Sequence, residues 1–216
     1  MIYTLTTWII PLLLCVIVHE VAHGIVALKL GDRTALNAGR LTLNPLPHFD
    51  PMGSFMIPGL LWLLHSPIMF GWAKPVPVNF GNLNHPKRDM GLVAVAGPLS
   101  NLILAIVFVL ILKVCVFILP EGPMLLWLAK NLANGIMMSL VLGIFNLLPI
   151  LPLDGGRILV SVLPLKWATL YQTTEKYGFF ILFGVISFSY ISGWNVIGWF
   201  IGTLYPVFVK IVSLFL

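Results

Sequence analysis

Two histidines four residues apart, with a glutamate directly after the first, occur at His19-Glu20-Val21-Ala22-His23. On a helix, residues four apart lie on one face, one turn above each other. His19 and His23 can therefore offer two imidazole nitrogens to one metal ion. Glu20 is rotated by about 100° from His19, beside the ligands, where its carboxylate can reach a water held there. That set is suited to hydrolysis. It lacks one protein ligand, because a catalytic zinc site usually takes three and leaves the fourth position to water.

The third ligand has few places to come from. The chain has seven acidic residues. Asp32, Asp50, Asp89, Glu121 and Glu175 fall in expected loops or loop edges, whereas Glu20 and Asp154 are set in apolar sequence. An unpaired acid at bilayer depth costs several kcal/mol, about 2.5–3.5 on insertion scales, so each needs a partner or a role. Asp154 sits in Asn146-Leu147-Leu148-Pro149-Ile150-Leu151-Pro152-Leu153-Asp154-Gly155-Gly156-Arg157, where prolines and glycines open a helix end. With His19 and His23 it gives a His₂-carboxylate set, against the plainer readings of Asp154 before Gly155-Gly156 as the N-cap of a short cytoplasmic helix and of the histidine pair as polar glue between helices. Cys15 shares the helical face of His19 but is about 12 Å from His23, too far for one ion, and is expected to pack.

The elements that must carry these residues are membrane helices. Hydrophobic residues make up 59% of the 216 and charged residues 9%, which excludes an ordinary soluble domain. The net charge of +5 is not gathered into a basic cluster, so a nucleic-acid partner is not expected and a lipid bilayer is. The spacing predicts an all-α multi-pass membrane protein of about five to six transmembrane segments, in one domain spanning 1–216. Segment A covers about 5–28, C about 90–118, D about 123–148, E about 177–191 and F about 194–215. Segment B, about 53–72, is broken by Pro58, Gly59 and Pro67 and flanked on both sides by basic loops. It is therefore expected to be re-entrant or irregular and β-like rather than a full crossing. The basic residues then place the amino terminus outside, the carboxyl terminus in the cytoplasm and the site about 10 Å below the cytoplasmic surface.

With these motifs in place the chain resembles the site-2 protease family of intramembrane zinc metalloproteases. His19-Glu20-x-x-His23 matches its first motif and Asn146-x-x-Pro149 with Leu153-Asp154-Gly155 its second. Gly97-Pro98-Leu99-Ser100-Asn101 matches a further recurring element. Phe70-Gly71-Trp72-Ala73-Lys74-Pro75-Val76-Pro77-Val78-Asn79 is similar to the small bacterial branch without PDZ or CBS domains. These stretches cover most of 15–160, within an expected catalytic core of about 5–160; the hairpin of about 177–215 carries no motif. The resemblance implies one Zn²⁺ per chain held by His19, His23 and Asp154, with Glu20 as general base. It also implies cleavage in or near a transmembrane helix of a membrane-protein substrate, in a bacterial cell (inner) membrane.

Other readings compete with this one. A metal transporter or channel could use the same buried His, His and Asp as a transit site, but it needs no Glu after the first His. Gly97-Pro98 fits close helix packing. Asn101 and Asn146 fit either support of exposed backbone or binding of substrate backbone. His48, His65 and His85 read as loop or interface histidines. Trp62, Trp72, Trp127, Trp194 and Trp199 read as interfacial belts. The 41–52 and 70–80 stretches read as strand edges on which an unwound substrate could lie.

Overall fold

The computed structural model describes residues 2–65 and 71–215. Long apolar runs become long helices: α1 (Ile2–Lys29), α4 (Pro86–Ile118), α5 (Pro123–Asn146) and α9 (Val196–Ser213). Between them lie α2 (Thr34–Asn37), α3 (Ile57–Leu63), α6 (Asp154–Val162), α7 (Leu165–Gln172) and α8 (Gly178–Ser192). Among the described residues, α1 from Thr6, α4, α5 and α9 are the four helices long and apolar enough to cross a membrane. Segment E appears as α8, whose 15 residues fall short of a hydrocarbon core about 30 Å thick. The stretch between segments D and E folds into α6 and α7.

The centre is a bundle of α1, α4 and α5, with α6 packed across α4 and α9 against α5. Helices in lipid gain little from apolar contact alone, so their interfaces favour small residues that let backbones approach. The buried stripe of α4 has Ala94, Gly97, Asn101 and Ala105, and that of α5 has Gly135, Ser139 and Gly143. The Phe108 ring fills the space where a side chain on Gly135 would stand. Large apolar residues such as Ile10, Leu13, Ile103, Leu110 and Trp199 cover the outer faces. Such a surface suits hydrocarbon, and the chain is a membrane protein.

The region after α1 contains no strand among the described residues. A π-helical turn, Pro51–Met56, leads into α3, and 71–79 runs back without regular structure. The two arms meet where Trp72 N–H donates to Gly53 O at 3.1 Å and Lys74 N–H to His48 O at 2.9 Å. The two ends of segment B are therefore tied to each other. Residues 66–70, including Pro67 and Phe70, and the Trp62 side chain lie outside what is described.

Asp32, expected in a loop, lies in one and holds it together. Asp32 is fully buried and accepts hydrogen bonds from the Thr34 hydroxyl and N–H, Asn79 N–H and the Asn82 amide. It thereby ties the end of α1 to the end of the 71–79 stretch. Burial alone would raise its carboxyl, but the bonds from Thr34, Asn79 and Asn82 outweigh that and hold it below the usual carboxylate range. Removing the acceptor strands buried donors, so Asp32→Ala is expected to cost about 1–3 kcal/mol in thermal unfolding in detergent. A depressed carboxyl stabilises fully above its unfolded value of about 3.9 and loses that contribution as pH falls through the folded value. The advantage of wild type over Asp32→Asn should accordingly shrink below about pH 4.

Candidate metal centre

α1 carries Thr7, Cys15 and His19 on one buried stripe, all at most 5% exposed. Cys15 is spent on packing, as its thiol meets the Ser139 hydroxyl at 3.0 Å and faces Gly135 O at 3.7 Å. One turn further on, His19 Nε2 and His23 Nε2 stand 3.1 Å apart. Asp154 arrives from α6 with Oδ2 at 3.1 Å from His19 Nε2 and Oδ1 at 3.3 Å from His23 Nε2. The ligand atoms of His19, His23 and Asp154 lie within 4.8 Å of one another, close enough to hold one metal ion. Asp154 Oδ2 is buried and makes no hydrogen bond. A buried carboxylate oxygen left open beside two imidazole nitrogens fits a cation.

Asp154 opens α6 without capping it; the N-cap is Leu153, which makes no side-chain cap bond. Its carboxylate is free to turn towards α1 for that reason. The approach is steric in origin. A side chain on Gly155 would meet Leu147 O at 2.1 Å, so only glycine lets the first turn of α6 press against the end of α5.

α4 sets the orientation of the two rings. Val93, Gly97 and Asn101 are spaced four apart and face the histidines. Val93 O lies 2.7 Å from His23 Nδ1. A carbonyl only accepts, so that nitrogen carries the proton and Nε2 keeps its lone pair for a metal. Asn101, fully buried, has its amide 3.3 Å from His19 Nδ1. Between them Gly97 lets α4 touch both rings: a Cβ there would lie 2.5 Å from His19 Cε1 and from His23 Nε2.

Glu20 Oε2 accepts a hydrogen bond from Val76 N–H at 2.7 Å. Pro75 and Pro77 have no N–H, so Val76 supplies the single donor of that triplet. Its buried side chain stands beside Gly24, one turn beyond Glu20, which seats the strap on α1. Glu20, His19, His23 and Asp154 line a cavity of about 560 Å³, bordered on the loop side by Trp72, Ala73, Pro75, Val76 and Pro77. A second cavity of about 380 Å³ reaches His19 and Glu20 between Val16, Leu142, Phe145, Phe179 and Leu182. Trp72 and Asn146 border both.

The structure thus brings His19, Glu20, His23 and Asp154 together, with Gly97 and Asn101 against the rings. Asn146 lines the cavities while its amide donates to Leu142 O at 3.0 Å. Trp72, expected in an interfacial belt, instead stacks on Gly53 and borders the site. Val76 and Val93 had no side-chain signal, since both act through backbone atoms. The Pro75-x-Pro77 pattern was the available hint for Val76. His48 is buried, with Nε2 at 2.9 Å from Thr42 O, and stays apart from the site.

Comparison with known proteins bears on the family of the chain. The model of Peptidase family M50 matches residues 120–189, which include Asp154. YwhC of Bacillus subtilis, provisionally named a zinc metalloprotease, is 40% identical over 175 residues, 80% of this chain and 76% of its own length. The chain belongs to the site-2 protease family. Rip2 of Mycobacterium tuberculosis strain Erdman, named in the same provisional way, is 30% identical over 93% of this chain and 71% of its own length. A zinc metalloprotease of Methanocaldococcus jannaschii is 31% identical over 113 residues, 49% of this chain and 31% of that protein. No solved structure matches. The chain is a zinc metalloprotease, which favours hydrolysis over a metal-transit role.

The contact at Gly97 yields a direct test. Gly97→Ala must displace rings that Val93 and Asn101 hold, so zinc per chain, measured by atomic emission on purified protein, should fall well below one.

Proposed function

We propose that this chain is a zinc-dependent endopeptidase that hydrolyses peptide bonds in or near transmembrane segments of membrane proteins. The observation that carries it is the convergence of His19, His23 and Asp154 in a cavity shared with the Glu20 carboxylate. His19, His23 and Asp154 hold the metal. Bound there, zinc supplies Lewis acidity that polarises a scissile carbonyl and acidifies water. Glu20 is the general base. With Oε2 engaged by Val76 N–H, Oε1 takes the proton from water and passes it to the leaving amine nitrogen.

The substrate reaches this point as an unwound backbone, because a helical segment has its carbonyls already hydrogen-bonded. The apolar cavity beside α5 and α8 suits entry from lipid. Trp72, Lys74 and Val76 spend their N–H groups inside the protein and Pro75 and Pro77 have none. Along 74–77 the strap therefore has no N–H left to give, and a substrate laid there donates its own N–H groups to the carbonyls of Pro75, Val76 and Pro77. Asn146 offers its carbonyl oxygen to the same backbone.

The site is placed near the cytoplasmic face of a bacterial inner membrane, with the amino terminus outside and the carboxyl terminus inside. Lys29, Arg40, Lys74, Lys87 and Arg157 support this, because they gather where α1 ends and α4 and α6 begin. Arg40 donates to Lys74 O at 2.7 Å, Lys87 to Ser161 O at 3.0 Å, and Arg157 lies over Phe80. The hairpin of 53–72 is re-entrant in this reading, its ends meeting on that same side. The whole forms one catalytic unit.

Glu20→Gln keeps the ligand set and the Val76 bond but removes the base. Purified and reconstituted with a helical substrate, it should keep its zinc and cleave roughly 10²–10⁴-fold more slowly than wild type. Cleavage at the wild-type rate would sink the assignment. Zinc flux into sealed vesicles that survives the substitution, with no peptide cut, would favour a transporter.

A further inference from the structure

The two metal-facing imidazoles differ in what stands behind them. His23 Nδ1 faces a backbone carbonyl, and its proton is fixed there. His19 Nδ1 faces the terminal amide of Asn101, which can either donate or accept. Two arrangements satisfy the pair. In one, the Asn101 amide N–H donates to His19 Nδ1 and the ring carries its proton on Nε2, aimed at His23. That ring cannot ligate a metal through Nε2. In the other, the amide is turned end for end, Oδ1 accepts from His19 Nδ1–H, and Nε2 has a free lone pair.

We infer that Asn101 positions His19 by its side-chain carbonyl: in the zinc-loaded protein Oδ1 accepts the Nδ1 proton and so selects the tautomer that binds through Nε2. Several observations converge on it. Asn101 is fully buried, and Oδ1 has no hydrogen-bond partner while Nδ2 faces the ring. Turning the amide gives Oδ1 that partner and moves the open position to Nδ2, so the metal's need for an unprotonated Nε2 sets the choice between the two ends. Asn101 borders neither cavity that reaches the site, which separates it from Asn146 and from a role on substrate backbone. It also stands four residues beyond Gly97, as Val93 stands four before it, so α4 serves both rings with one stripe. A ring-nitrogen partner of this kind typically changes metal affinity by 10–100-fold when removed.

The inference rests on the proposed ligand set, and the test separates the two. Zinc affinity is measured for detergent-purified, metal-stripped protein by competition with a chromophoric chelator, together with the visible spectrum of the Co(II)-loaded form. Asn101→Asp keeps an acceptor oxygen at the same position, and Asn101→Leu keeps the volume without it. The Asp variant is expected to hold zinc within about threefold of wild type with an unchanged Co(II) spectrum. The Leu variant is expected to bind about 10–100-fold more weakly with an altered spectrum. Equal affinity in Asn101→Leu, or weaker binding in Asn101→Asp than in Asn101→Leu, overturns the role of Asn101 alone. Should the Leu variant not fold, the Asp variant decides: a tenfold loss of affinity there overturns the proposal. Wild type that binds no zinc overturns the ligand set and this inference with it.

Discussion

A carboxylate and two imidazoles cannot sit unpartnered inside an apolar bundle, and the architecture is arranged around meeting that demand. Asp154 would be costly at its depth without His19 and His23, and the two rings would be loose without α4 behind them. The demand explains the small residues. Gly97 brings α4 onto the rings and Gly155 brings α6 onto the end of α5, so three helices converge on a volume that any added Cβ would close. The same contacts that pack the bundle orient the donors.

The strap at 71–78 is the second device. Its extended course follows from Pro75 and Pro77, which fix their own φ angles and push the residues before them towards extended geometry. Anchored by Asp32 at Asn79, by Gly24 at Val76 and by Gly53 at Trp72, it presents one amide to Glu20 and roofs the cavity. Loop, Glu20 and first helix are therefore mechanically continuous. A loop that positions the proposed base must be held at both ends, and buried Asp32 serves one of them.

How much of this was legible depended on where the information sits. Runs of about 20 apolar residues announce helices, so α1, α4 and α5 fall within a few residues of expectation. Asp154 was readable because an acid in apolar sequence needs a reason, and His19 and His23 because helical spacing is rigid. Val93 and Val76 were not, since their backbone atoms carry no signature in a residue's name. Trp72 misled because aromatic rings suit lipid interfaces and backbone packing equally. Asp32 and Asp89 were expected in loops or loop edges, a placement that gives no sign that both are fully buried and hydrogen-bonded. The helices α6 and α7 were hidden behind turn residues and basic side chains that also mark loops. Segment E folds as α8, where apolar composition outruns a length of 15 residues.

The central claim, one metal held by these three side chains, is most directly tested by anomalous X-ray scattering from crystals of the purified protein on either side of the zinc edge. The account predicts a single zinc peak per chain, about 2.0–2.2 Å from His19 Nε2, His23 Nε2 and a carboxylate oxygen of Asp154. A zinc peak bound by other residues, or no peak between these three in protein that cleaves, would contradict it.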